Sequence, residues 1–291
     1  MNKAYKNNFA VFILTNGRPD NVITRHTLRR KGYTGKIYII IDDLDKTKDQ
    51  YIKNFGDEII IFDKAEIAKT FDSGDNFNDM RAIIYARNAC FNIAKDLGIK
   101  YFIQLDDDYE DFSYRFNGSL EYISRTITNL DNIFSVMLTF FICSGVSSFA
   151  MAQNGDFIGG SGNQYAKQLK LTRKCMNSFI CSTDRPFQFV GRINEDVNTY
   201  TRQASTGLVL FTINQISLKQ KTTQSNEGGM TDLYLDSGTY IKSFYSVMYH
   251  PSAVKIKMMG NKNYRLHHSV KWINTTPLIL SETTRKASNM A

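Results

Sequence analysis

Three consecutive carboxylates, Asp106, Asp107 and Asp108, follow the apolar, β-prone run Tyr101-Phe102-Ile103-Gln104-Leu105. Adjacent carboxylates repel one another and favour neither helix nor strand, so an isolated triplet reads as a solvated turn. At the carboxyl end of a buried strand the same residues form a site for a hard divalent cation, which takes oxygen ligands and shares them with a phosphate. A second candidate lies upstream, where Ile83, Ile84, Cys90, Phe91, Ala94 and Leu97 recur at helical spacing and Arg87 falls on the same apolar stripe. A guanidinium on a buried face requires an anionic partner, so Arg87, with Asn88 beside it, is expected to face a nucleotide or the aspartate cluster, or else to form a structural ion pair. Late in the chain, His267 and His268 stand together. Neighbouring side chains of an extended segment point opposite ways, so one imidazole would complete a metal shell while the other faces elsewhere. The sequence leaves open which one.

These groups need a scaffold. Phe9-Ala10-Val11-Phe12-Ile13-Leu14 is a continuous apolar run, as expected of a strand covered on both faces, and it stops at the turn-forming Thr15-Asn16-Gly17-Arg18-Pro19-Asp20-Asn21. A helix from about Val22 to Lys31 is expected next, then a strand from Lys36 to Ile41 ending in Asp42-Asp43, and a strand from Ile59 to Phe62. Asp79 looks like the cap of a helix that reaches Leu97 and stops at Gly98. Strands alternating with helices describe an α/β fold, a Rossmann-like, doubly wound, mostly parallel sheet. Ligands bind such sheets at the carboxyl ends of the strands, where Thr15 to Arg18, Asp42, Asp43 and Asp106 to Asp108 all fall. Beyond Asp156 the alternation weakens, so the remainder is expected to pack on the first sheet without a clean hinge.

At 291 residues and 42% hydrophobic, the chain can bury a large core as one large or two intimately joined domains, and 22% charged residues argue against disorder. The net charge of +8 suits a polyanionic partner. Cys90, Cys143, Cys175 and Cys181 lack CxxC spacing, which excludes a zinc knuckle or redox pair; Cys90 and Cys143 read as core thiols in a reducing, cytoplasmic setting. The N-terminus lacks the apolar run of a signal peptide. From Ile133 to Ala152 no residue is charged, yet serines, a threonine and Gly145 dilute the segment; it is read as a core helix ending near Gly145 followed by a buried strand, with no membrane contact.

The stretch Tyr85-Ala86-Arg87-Asn88, then Ala94, Gly98 and Leu105-Asp106-Asp107-Asp108, resembles the Ala-Arg-Asn helix and Asp-x-Asp strand of GT-A glycosyltransferases. Glu195-Asp196 is similar to the acidic motif whose aspartate deprotonates the acceptor hydroxyl in inverting members. The segments Gly17 to Asn21, Gln153 to Gly160, Gly191 to Tyr200, Gly228 to Asp232, Ser237 to Ser252 and Arg265 to Trp272 resemble the TET-associated glycosyltransferases of bacteriophages more closely. That resemblance implies a single GT-A domain spanning 1–291, with a nucleotide-sugar half at 1–112 and an acceptor half at 113–291. It implies a nucleotide-sugar donor of the UDP type, a manganese or magnesium ion, and hydroxymethylated pyrimidines in DNA as acceptor. Donor contacts would come from Thr15, Asn16, Arg18, Asp42, Asp43, Arg87, Asn88, Asp106 and Asp107, and metal ligands from Asp108, Asp106 and His267 or His268. Asp196 would be the base and Glu195 its companion, while Gln153, Asp156, Gly159, Gly160 and Arg192 would meet the acceptor. Lys167, Lys170, Arg173 and Lys174 are candidates for DNA phosphates. The first turn is too short and glycine-poor for a nucleotidyltransferase and lacks the GxGxxG of a dehydrogenase. A GT-A enzyme with another acceptor, or a non-catalytic DNA-binding relic, are the remaining alternatives.

Overall fold

A computed structural model describes residues 7–163, 175–221, 236, 238, 240–260 and 264–282. The first sheet has five strands in the order β3-β2-β1-β4-β8: β1 (Phe9–Leu14), β2 (Lys36–Asp42), β3 (Ile59–Phe62) and β4 (Tyr101–Asp106) are parallel, while β8 (Ser178–Ser182) runs antiparallel along β4. Strand β1 is buried at every position. Its alternate residues feed two cores, Phe9, Val11 and Ile13 on one face and Ala10, Phe12 and Leu14 on the other. That is why the run is apolar without alternation.

Helices α1 (Ile23–Arg30), α2 (Lys48–Phe55), α3 (Lys64–Ala68) and α4 (Ile84–Asp96) connect these strands. The expected doubly wound, largely parallel α/β sheet is the observed one. Helix α4 begins four residues later than its sequence suggests, with Ile83 rather than Asp79 at its N-cap. The Asp79 carboxylate caps no helix: it accepts the Arg81 amide at 2.9 Å and pairs with the Arg81 and Arg192 guanidinium groups. Arginine partners thus win over the helix end.

A second sheet, ordered β6-β5-β9-β7, packs beside the first; it comprises β5 (Tyr109–Phe116), β6 (Tyr122–Thr126), β7 (Ser148–Gln153) and β9 (Leu210–Gln220). Helix α5 (Leu130–Ser144) ends at Gly145 in the left-handed conformation, and β7 follows, as the charge-free segment suggested. No helix among the described residues is long and apolar enough to cross a membrane. All four cysteines are free; Cys90, Cys175 and Cys181 are buried, but Cys143 is exposed. Cys143 falls on the outer face of α5, beside the exposed Ile142, which corrects its reading as a core thiol.

Helix α6 (Glu195–Ser205) and helix α7 (Ile241–Tyr249) pack together, and α7 also supports a two-stranded ribbon of β10 (Val254–Met259) and β11 (Arg265–Val270).

Candidate active site

Parallel pairing sets the geometry. The register places Leu14 of β1 beside Asp106 of β4, so the residues that follow each strand meet across the sheet edge. Thr15 Oγ1 donates to Asp107 Oδ2 at 2.6 Å, and an Arg18 nitrogen lies 3.3 Å from Asp107 Oδ1. The Tyr51 hydroxyl shares a 2.8 Å hydrogen bond with Thr15 Oγ1 and accepts the Arg18 amide at 2.8 Å. Thr24, at the start of α1, fixes the acidic turn from below: its hydroxyl donates to the Asp106 carbonyl at 2.6 Å and accepts the Tyr109 amide at 2.9 Å. Asp107 is therefore held by the first loop, and its neighbours are left to the cleft.

Next along the edge, Asp42 accepts Asn16 Nδ2 at 3.0 Å and the buried Lys64 ammonium at 3.0 Å. Asp43 is exposed and accepts the Lys64 amide, and Asp45 accepts the Gly17 amide at 2.8 Å. Lys64, Asp45 and Tyr51 were not singled out in the sequence. A Lys that begins a short helix, or an Asp three residues beyond a strand, carries no mark until the strands align.

Arg87 joins the two acidic motifs. Its Nη2 donates to Asp106 Oδ1 at 3.0 Å and its Nε to Glu195 Oε1 at 2.9 Å, while the guanidinium sits 4.9 Å from the centre of the Phe179 ring. The Arg87 side chain is 3% exposed. Its expected anionic partner is thus two partners, one from each motif. Asn88 accepts the Phe189 amide and donates to the Phe189 carbonyl, tying α4 to the segment before α6. That segment turns sharply into α6 at Asn194, whose φ of 64° is left-handed and whose side chain donates to Ser246 Oγ of α7 at 2.6 Å. Glu195 and Asp196 then form the first turn of α6, where backbone amides favour negative charge. Asp196 Oδ1 accepts the Val197 amide at 2.7 Å.

The carboxylates are crowded and shielded from water. Burial raises the Asp106 and Asp107 carboxyls above the usual range, against the pull of Arg87 on one and of Thr15 and Arg18 on the other. Burial beside Asp106 and Asp107 pushes Asp108 up to about 7. Burial also raises Glu195, although Arg87 pulls the other way. Among the described residues, the buried Asp108 Oδ1 has no hydrogen-bond donor, and its Oδ2 has a single long 3.4 Å contact from Gln220. A carboxylate in this state fits a hard cation, which supplies the missing positive charge.

The remaining expected residues lie further out. Among the described residues, no three His, Cys, Asp or Glu side chains converge as a ready metal shell, so His267 and His268 are not gathered with the aspartates. Both sit on β11, and their rings lie 4.3 Å apart rather than on opposite faces. His267 Nδ1 lies 2.8 Å from the His268 carbonyl oxygen. Gln153 and Asp156 cap one short helical turn reciprocally, and Gly159 and Gly160 follow with φ of 94° and 58°. Arg192 is buried in ion pairs with Asp75 at 2.9 Å and Asp79 at 3.0 Å. Lys167, Lys170, Arg173, Lys174 and the Gly228 to Asp232 segment lie outside the described residues.

Several solved structures are distantly similar to this chain. The mannosyltransferase PcManGT of Pyrobaculum calidifontis, in complex with GDP-Man and Mn2+, is 10% identical with a TM-score of 0.45, covering 84% of this chain and 74% of that one. Glucosyl-3-phosphoglycerate synthase of Mycobacterium tuberculosis, in complex with Mn2+, UDP and phosphoglyceric acid, is 9% identical with a TM-score of 0.41, covering 90% and 86%. S. aureus TarS 1-349 with UDP is 10% identical with a TM-score of 0.45, covering 83% and 64%. A search of curated proteins finds no match. The family model of the TET-associated glycosyltransferases matches residues 9–229, and the chain belongs to that family.

Proposed function

We propose that the protein transfers a sugar from a nucleotide-sugar donor to the hydroxymethyl group of modified pyrimidines in DNA, with inversion at the anomeric carbon. The observation that carries this reading is the shared guanidinium of Arg87, which ties Asp106 on the donor side to Glu195 beside the candidate base. A donor diphosphate would lie along the strand ends, where Thr15, Asn16 and Arg18 offer donors and Asp42, held by Lys64, faces the ribose or base. Asp108, with Asp106 beside it, would hold a divalent cation; the Asp108 Oδ1, buried without a partner among the described residues, supports this. When bound, such an ion neutralises the charge that builds on the departing diphosphate.

Asp196 takes the proton of the acceptor hydroxyl as its oxygen attacks the anomeric carbon and the bond to the nucleoside diphosphate breaks. Glu195 stays with Arg87 and holds the first turn of α6 in place. Asp107 orients the Thr15 to Arg18 loop. The family's name, together with the basic charge, supports DNA as the acceptor. The test is incubation with hydroxymethylated DNA and a panel of sugar nucleotides, followed by nucleoside mass spectrometry. A glycosylated nucleoside of inverted configuration is expected. Donor turnover without any DNA product would transfer the reading to another acceptor, and no turnover of any donor would overturn it.

A further inference from the structure

Residues 237–281 contain six Lys or Arg and no Asp or Glu, in a chain whose net charge is +8. The family match ends at residue 229, so this basic segment lies beyond it. Its described part folds into α7, the β10–β11 ribbon and the turn at Trp272–Thr275. Antiparallel pairing sets Lys255 opposite Ser269, Lys257 opposite His267 and Met259 opposite Arg265. Directly opposed residues share a face, and alternate residues of each strand return to it. Lys255, Lys257, Met259 and Arg265 are therefore on one side, and all four are exposed. The other side carries the buried Val254 and half-buried Ile256 and leans on α7.

Among the described residues, none of Lys255, Lys257 and Arg265 has an ion-pair partner. Three exposed cations on one face, with no carboxylate paired to them, suit an external polyanion. We propose that this face of the β10–β11 ribbon grips the phosphate backbone of duplex DNA. A two-stranded ribbon fits the major groove. Its alternate residues, about 6.8 Å apart, are spaced much like neighbouring phosphates along one strand of the duplex. The ribbon is also tied to the chemistry. Helix α7 bears on it and on α6, through Asn194 to Ser246 and Ser246 to Asn198, and the Trp272 ring lies 5.6 Å from Tyr200 of α6. DNA seated on the ribbon is thereby held in fixed relation to Asp196. The proposal rests on the DNA acceptor put forward above.

The test compares wild-type protein with Lys255→Gln/Lys257→Gln/Arg265→Gln and with a control that removes three exposed cations elsewhere, Lys36→Gln/Lys48→Gln/Lys95→Gln. Affinity for a hydroxymethylated duplex is titrated against salt, alongside donor hydrolysis without DNA and binding to phosphatidylserine vesicles. In the ribbon variant the slope of log affinity against log salt should lose about 2 to 3 of its magnitude, with donor hydrolysis unchanged. The control variant should keep the wild-type slope. If circular dichroism shows the triple variant unfolded, Lys257→Gln alone should lower the slope by about 1. An unchanged slope overturns the proposal, as does an equal loss in the control. Loss of vesicle binding with intact DNA binding overturns it in favour of an anionic membrane. A ribbon-dependent slope in a protein that transfers no sugar to DNA upholds the ribbon and removes the acceptor reading; sugar transfer to DNA with an unchanged slope does the reverse.

Discussion

Removing the Arg87 guanidinium tests the centre of the site. Arg87→Met keeps an unbranched apolar stem but removes the guanidinium and its contact with Phe179, and it leaves Asp106 and Glu195 without their shared cation. Their side chains are 18% and 10% exposed, so water replaces little of the lost charge. Breaking a buried ion pair from one side costs about 3–5 kcal/mol. Both carboxyls already titrate above their unfolded values, and without Arg87 they rise further. The folded protein then binds more protons than the unfolded chain from the unfolded carboxyl range upward, so stability falls as pH rises through that window. Urea denaturation monitored by fluorescence should show the loss of about 3–5 kcal/mol near pH 8 and a clearly smaller loss near pH 5. Arg87→Met/Glu195→Gln should recover part of the deficit at pH 8 and flatten its pH dependence. A cost below about 1 kcal/mol that is the same at both pH values would refute the view that one guanidinium neutralises both acidic motifs.

Four further outcomes are expected. Asp108→Asn should abolish metal-dependent donor binding in calorimetry while raising the stability of the metal-free protein. Because Asp108 is pushed to about 7, metal-free stability should fall as pH rises from the unfolded carboxyl range through pH 7, and Asp108→Asn should reduce that slope on thermal unfolding. Asp196→Asn should bind donor normally yet transfer sugar at least about a hundredfold more slowly in a single-turnover assay. Gly191→Ala should lower stability measurably in urea, since Gly191 has φ of 79° and an added Cβ would lie 2.3 Å from Asn198 Nδ2 and 2.6 Å from the Tyr249 ring.

Strands β1 to β4 were legible because each is a short run of mostly apolar residues bounded by turn formers, fully buried in β1 and largely buried in β2 and β4, although the edge strand β3 leaves Ile61 exposed. Arg87 was legible as an anomaly: a charge on an apolar stripe must be answered, and the structure answers it with Asp106 and Glu195. Other features were hidden because they depend on pairing. Asp79 has the residue type of a helix cap, but the arginines at 81 and 192 take its carboxylate. Lys64 becomes part of the site only when β2 and β3 lie side by side, and Gln220, which accepts a hydrogen bond from Asn177, approaches Asp108 from the end of β9, a strand that the sequence did not disclose. The alternation of the ribbon, Lys-Ile-Lys-Met-Met, was present in the residues but short and broken by the adjacent histidines.

Strand β8 has a consequence for how the chain is made. It closes the first sheet on the far side of β4, yet about 70 residues separate the two strands in sequence. At a synthesis rate of about 5–20 residues per second, β4 leaves the ribosome roughly 4–14 s before its partner exists. During that interval the backbone groups of Phe102 to Leu105 form an open edge next to strongly apolar side chains, a template for pairing with another nascent chain. The delay makes this strand the point at which chaperones would be needed, and it explains why a fragment ending near residue 112 would be expected to aggregate rather than to stand alone.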